Sequence, residues 1–226
     1  MVEEEERKRS NKQSSEEKET GRLEAFSDGI FAFAITLLVL GLRDPVQAVG
    51  QSQSLLSGLF AEWPTFLAFF TSFLSVLVIW VNHHNMFSYI KGIDTRFLFL
   101  NGFLLLTVTL NPFTTSLVAD HLLDNNSDTA AGVYAGIFFL LSVAWNVLWR
   151  YASKEHRLLS SDVTNEDVKK LNRDFNLGTL LYVVAFALAF LSGLASFLAI
   201  LASAVFWATT ASTRSLFGAD LKRNKG

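Results

Sequence analysis

The sequence predicts an all-α, polytopic membrane protein with six transmembrane helices per subunit. Half of its 226 residues are hydrophobic, 21 are Phe and only 18% are charged, a balance unlike that of a soluble domain. The 19 Lys and Arg and the 21 Asp and Glu sit almost wholly in the tails and two connections, leaving uncharged stretches near the roughly 20 residues that a spanning helix needs. The Lys and Arg also fall on one side of the membrane once six spans are assigned.

Residues 1–20 are polar and mixed in charge, with no apolar run that could be a cleavable signal, so a disordered cytoplasmic tail is expected there. The membrane domain then covers residues 21–213, and residues 214–226 form a second cytoplasmic tail. The first span, 23–42, is apolar apart from Glu24, Ser27, Asp28 and Thr36 and stops at Arg43-Asp44-Pro45, where proline opposes helix continuation. The second, 64–82, opens on Pro64 in a first-turn position and ends in WVNHH. The third, 97–118, is uncharged and meets Asn111-Pro112, which should kink it near its outer end. The fourth, 129–149, closes on Trp149-Arg150-Tyr151, the aromatic and cationic grouping of a headgroup boundary. Residues 175–213 are too long for one crossing, and Ser192-Gly193 divides them into spans 175–192 and 194–213 joined by a tight turn.

With the N-terminus inside, the inner segments hold nearly all the cations, including Arg22, Lys91, Arg96, Arg150, Lys169 and Arg214, and only Arg43 lies outside. A short cytosolic helix is expected before the fifth span, because Val168, Leu171 and Phe175 fall at helical spacing behind possible caps at Asp162 and Thr164. Residues 51–62 carry Leu55, Leu56, Leu59 and Phe60 among polar neighbours and suit the outer membrane surface. Cysteine is absent, which excludes disulfides and thiolate chemistry. A net charge of -2 and the lack of a basic run interleaved with aromatics argue against nucleic acid as a partner.

Polar residues inside spans are costly and mark function or pairing. Arg22, Glu24, Ser27 and Asp28 enter the first span at its cytoplasmic end, and Trp80, Asn82, His83 and His84 leave the second span at the same level. They either snorkel into headgroups or form a buried network in which Asp28 accepts from Ser27, Arg22, Trp80 or a His. A metal at His83 and His84 is a weaker option, since adjacent histidines point to different helix faces.

The strings RLEAFSDGIFAFAITLLVL in the first span and WVNHH ending the second resemble the prokaryotic branch of the transmembrane protein 175 family of potassium channels, whose signature Arg-x-x-x-Phe-Ser-Asp-Gly is met here by Arg22, Phe26, Ser27, Asp28 and Gly29. The resemblance implies a homotetrameric channel in a prokaryotic plasma membrane, with a central pore lined by the first helix. It also implies hydrophobic pore layers, which match Phe33, Leu37 and Leu40 here, with Thr36 at the border of that stripe. No TVGYG-like filter is present. The phenyl ring of Phe33 departs from the aliphatic residue usual at its layer. At about 100° per residue Asp28 points roughly 140° away from Phe33, so it should face a neighbouring helix rather than the pore.

The implied function is a leak-type channel that prefers potassium, the ion that sheds water more cheaply than sodium, with no cofactor and no enzymatic activity. A proton-coupled transporter or proton-permeable channel is the alternative, because membrane-level Asp and His are able to carry protons. An intramembrane enzyme is disfavoured by the absence of a nucleophile elbow or His-Glu-x-x-His.

Overall fold

The computed structural model describes residues 2–42 and 54–223, and every regular element among them is helical apart from one isolated β-bridge. The Arg43-Asp44-Pro45 stop, the outer position of Arg43, and the start of the surface segment at residues 51–53 lie outside the described residues.

Helix α1 runs Val2–Leu37 and tightens into a 3-10 turn at Leu38–Gly41. The tail expected to be disordered is therefore helical. It is rich in Glu, Lys and Arg and has no Pro, and no Gly before Gly21, so nothing stops a helix that propagates back from the apolar segment. A short helix α2, Leu55–Ala61, follows, its first turn capped by Ser54, which accepts from the Ser57 amide at 3.2 Å. Helix α3 is Trp63–Phe87, with Pro64 in its first turn. The third apolar stretch divides at Leu110 into α4, Thr95–Thr109, and α5, Asn111–His121. Pro112 lacks the N–H that a continuous helix uses, and the helix is interrupted just before it, at Leu110. Helix α6 is Ser127–Ser153, α7 is Asn165–Leu188 and α8 is Gly193–Arg223.

The separate cytosolic helix expected ahead of the fifth span does not exist as a unit. Its residues form the first turns of α7, started by a capping box in which Thr164 accepts from the Asp167 amide and Asp167 accepts from the Thr164 amide. Between α7 and α8 the chain turns through Ala189–Ser192, a few residues earlier than Ser192-Gly193 alone suggests.

Among the described residues, four helical stretches are long and apolar enough to cross a membrane: Lys18–Gly41, Trp63–Phe87, Thr95–His121 and Ser127–His156. Gly193–Thr209 is a shorter apolar helix, and α7 begins with the polar sequence NEDVKKLNRD.

Helix α6 is the central post. It packs against α4, α5, α7 and α8, and its Tyr134, Phe138, Leu148 and Trp149 are fully buried. Apolar side chains gain little by leaving lipid for protein, so helices in a bilayer rely on close packing and interhelical hydrogen bonds. Such bonds recur here. Ser72 of α3 shares a 2.7 Å bond with Tyr134 of α6 and accepts from Thr115 of α5 at 2.7 Å. Asn146 of α6 donates to Thr179 of α7 at 2.8 Å, and Ser196 of α8 donates to the Ala185 carbonyl at 2.7 Å.

Gly193 is where the α7–α8 hairpin docks on the start of α6. Its amide donates to Asp128 Oδ1 at 2.6 Å. An added Cβ would collide with the Ser127 carbonyl and come within 2.8 Å of the Asp128 nitrogen, both backbone groups that cannot step aside. Gly193→Ala is therefore expected to destabilise the fold by about 1–3 kcal/mol, read as a lower melting temperature and yield in detergent. A variant as stable as the parent would mean the hairpin is free to move off α6.

At the bundle end bearing Lys91 and Arg150, the α3–α4 and α6–α7 connections clamp together. The Lys91 amide donates to the Leu158 carbonyl at 2.9 Å and the Ser160 amide to the Tyr89 carbonyl at 2.9 Å. Thr20 of α1 joins them, donating to the Lys91 carbonyl at 3.1 Å. Asp94 caps α4 by accepting from the Phe97 amide at 2.8 Å and also accepts from the Tyr151 hydroxyl at 2.6 Å. Burial pushes its carboxyl up, but the Tyr151 and Phe97 hydrogen bonds and the Arg157 charge together hold it below the ordinary carboxylate value. A depressed value makes the stabilisation full above the unfolded value and lost as pH falls through the folded one. Thermal melts in detergent should show an acid loss of stability below roughly pH 4 that is reduced in Asp94→Asn. An identical acid profile in the variant would rule Asp94 out as a contributor.

Candidate functional site

The buried face of α1 comprises Thr20, Leu23, Ser27, Phe31, Ala34 and Leu38, which pack on α3, α4 and α5. The opposite face is left exposed among the described residues. Phe26, Gly29, Phe33, Thr36 and Leu40 are all exposed, Phe33 by 64% and Leu40 by 76%. Their spacing of three and four residues draws one stripe along the helix. Leu37 is half-buried beside that stripe, whereas Thr36, expected at its border, points outward and donates its hydroxyl to the Phe33 carbonyl at 2.8 Å. At about 100° per residue Thr36 and Leu37 flank Phe33 on opposite sides, and the packing of α3–α5 covers the Leu37 flank. The 3-10 turn that follows has three residues per turn, which keeps Leu37 and Leu40 nearly in line.

On the inner flank, two sets of bonds tie α1 to its neighbours. Trp80 Nε1 of α3 donates to Asp28 Oδ1 at 2.8 Å, so the carboxylate faces α3 and not the exposed stripe. Nearer the bundle end, His84 Nδ1 and Glu24 Oε1 lie 2.9 Å apart. Deeper in, three fully buried side chains form a relay. His83 Nε2 and Asn101 Oδ1 are 2.9 Å apart, Asn101 Nδ2 donates to Ser27 Oγ at 2.9 Å, and Ser27 Oγ donates to the Leu23 carbonyl at 2.9 Å.

The relay fixes its own protons. Ser27 spends its hydrogen on Leu23, so it accepts from the Asn101 amide nitrogen. The Asn101 oxygen must then face His83, whose Nε2 carries the proton and donates. His83 Nδ1 is left as a buried acceptor with no partner among the described residues. Its ring is stacked on Phe87 at 4.5 Å between centroids and lies 5.2 Å from Phe31.

The residues read from the sequence thus separate into three groups. Ser27, Asp28, Trp80, His83 and His84 engage neighbouring helices; Arg22, Phe26 and Gly29 lie exposed; and Asn82 turns back to donate to the Val78 carbonyl of its own helix at 3.0 Å. Asn101 is the residue that sequence reasoning missed. A carboxamide within an otherwise apolar span was the available signal, because an unpaired one is expensive in a bilayer. Among the described residues no group of three or more His, Cys, Asp or Glu is placed to hold a metal ion.

The sequence profile described as the endosomal/lysosomal potassium channel TMEM175 matches residues 22–112, which contain α1 from Arg22, the exposed stripe and the whole relay. A potassium channel of Chamaesiphon minutus is 46% identical over 180 residues, covering 80% of this chain and 89% of that protein. The chain belongs to the TMEM175 family. A second member, a potassium channel of Streptomyces collinus, is 38% identical over 175 residues, or 77% of this chain and 84% of that one. The TMEM175-family fold extends over most of the chain. The crystal structure of a lysosomal potassium-selective channel TMEM175 homolog from Chamaesiphon minutus superimposes with a TM-score of 0.77 at 42% identity, covering 86% of this chain and 98% of that one. Within this TMEM175 chain the matched region ends at Asn111-Pro112, where the third apolar stretch is interrupted.

Proposed function

We propose that this protein is a potassium-permeable channel, assembled as a homotetramer of six-span subunits around a pore lined by α1. The observation that carries the reading is the division of α1 into two faces. One is bonded to α3 and α4 through polar groups, and the other, the stripe from Phe26 to Leu40, is left exposed among the described residues. One α1 cannot encircle an ion, so several copies must meet at a shared axis. Fourfold symmetry comes from the family resemblance. Spans five and six are the apolar part of α7 and Gly193–Thr209; the Lys and Arg distribution supports cytoplasmic termini, and the family resemblance supports a prokaryotic plasma membrane.

Phe33, Leu37 and Leu40 form the constriction, with Thr36 between the Phe33 and Leu40 layers. An ion passing such rings loses part of its hydration shell, and potassium does so at lower cost than sodium, which yields a preference without a carbonyl filter. Asp28, Trp80, His83 and Ser27 hold α1 at the angle that keeps this stripe on the axis. The support for this reading is the match to two potassium channels in sequence and one potassium-selective homolog in structure.

Reversal potentials of the reconstituted protein under potassium, sodium and proton gradients test the proposal. A reversal potential that follows the potassium gradient and ignores the proton gradient supports it. Coupling to protons would favour the alternative, a proton-coupled transporter or proton-permeable channel, which the unpartnered buried nitrogen of His83 makes worth measuring.

A further inference from the structure

Helices α6 and α7 leave an open groove of about 450 Å³ between them, to which α1 contributes no residue. Val143 and Val147 of α6 and Leu180 and Val183 of α7 give it an apolar surface, and Val147, Leu180 and Val183 are 45%, 58% and 41% exposed. Asn146 and Thr179 also line it and are bonded to each other at 2.8 Å, which ties the two helices together along the groove. Both walls turn polar at the same end. One turn beyond Val147 stands Arg150, and one turn before Leu180 stands Asn176. Because the helices run antiparallel these two meet, and Arg150 Nη2 donates to Asn176 Oδ1 at 2.8 Å.

Arg150 is exposed, and its bond partner is a neutral carboxamide that occupies only part of the guanidinium fork. Among the described residues it pairs with no carboxylate, and no acidic residue lines the groove. An apolar channel that ends in an uncompensated cation fits a molecule with a greasy chain and an anionic head. The length agrees. Leu140 lines the next cavity along the same seam, and from Leu140 to Arg150 the helix rises about 15 Å, half of a hydrocarbon core of roughly 30 Å and so the reach of one acyl chain. A phosphate takes two parallel N–H bonds from an Arg fork, and basic pockets between spanning helices suit anionic headgroups.

We propose that this groove is a binding site for an anionic phospholipid, its acyl chain along Val143, Val147, Leu180 and Val183 and its phosphate on Arg150. On the orientation proposed above, Arg150 lies at the cytoplasmic end and the lipid belongs to the inner leaflet; the site itself does not depend on that orientation or on the path of the ion. A second copy of the chain is the rival occupant, and it would have to bring a carboxylate to Arg150.

Native mass spectrometry of the full-length protein in detergent, with phosphatidylglycerol and phosphatidylcholine of matched acyl chains added in equal amounts, tests the proposal. The expected result is retention of phosphatidylglycerol over phosphatidylcholine by about fivefold, the factor of one cation held against an anionic lipid surface. Arg150→Gln should keep the phosphatidylcholine retention of the parent and lose the preference. Asn176→Asp should lose it too, since it offers Arg150 a carboxylate at the existing bond, and it keeps the test decisive if Arg150→Gln does not fold. Leu180→Trp, which narrows the groove, should lower the retention of both lipids. Equal retention of the two lipids by the parent, or a preference that survives in Arg150→Gln or Asn176→Asp, would overturn the proposal. Fewer subunits per complex in Leu180→Trp, with lipid retention unchanged, would also overturn it and give the groove to a second copy.

Discussion

Replacing Leu37 with asparagine is expected to raise potassium flux about tenfold and to weaken discrimination against sodium. In the proposed pore the constriction works by denying water to the passing ion. An amide at one of its layers restores a hydrogen-bonding partner where the ion is most dehydrated, and a net gain of about 1.4 kcal/mol, within the range of a single hydrogen bond, corresponds to a tenfold change in rate. Sodium gains more than potassium, because it gives up water less readily, so the two fluxes converge.

Leu37 is half-buried at the flank of the exposed stripe, with α3–α5 covering part of it. An amide at this half-buried edge position can be presented to the proposed pore. Concentration-driven flux into liposomes, measured separately for potassium and sodium, checks the prediction. Unchanged flux and selectivity in a well-assembled variant would move the narrow point of the pore away from Leu37. Thr36 makes an informative neighbour, for its hydroxyl is already spent on the Phe33 carbonyl and so, in the proposed pore, has an oxygen lone pair but no free proton for an ion.

Much of this arrangement was legible in the residues before any coordinates. The RLEAFSDG string and WVNHH had to lie at one membrane level in antiparallel helices, and the bond from Trp80 to Asp28 joins those two strings. What escaped was anything carried by isolated residues far apart in the chain. Asn101 sits in a stretch with no charge, and its role depends on facing Ser27 and His83, which are 74 and 18 residues away. The clamp between Tyr89–Lys91 and Leu158–Ser160 is made of backbone groups, which no side-chain pattern announces. The helical state of residues 2–20 escaped for another reason. Their composition satisfies both a solvated coil and a helix continued from α1, and the choice rests on continuity with a segment already ordered by the bundle.

Asn101→Leu is expected to lower the melting temperature by several degrees, and adding His83→Leu to it is expected to recover part of the loss. Leucine is close to asparagine in size, so the single change mainly removes two hydrogen bonds. Ser27 keeps its bond to the Leu23 carbonyl. His83 does not fare as well: with Nδ1 already unpartnered, losing Asn101 strands the second ring nitrogen at a site with 0% exposure. Leaving a buried donor unpaired costs about 1–3 kcal/mol, and for a chain of this size each kcal/mol moves the midpoint by about 2–4 °C. Replacing both partners with apolar groups removes the stranded N–H, so the double variant, although more altered, should melt above the single one. A double variant that melts lower, by the sum of the two single losses, would mean that His83 and Asn101 act separately. The flux readout then separates this region from the constriction. Leu37→Asn should change selectivity at nearly constant stability, whereas Asn101→Leu loosens the hold of α3 and α4 on α1, lowering stability and altering flux through residues it does not touch.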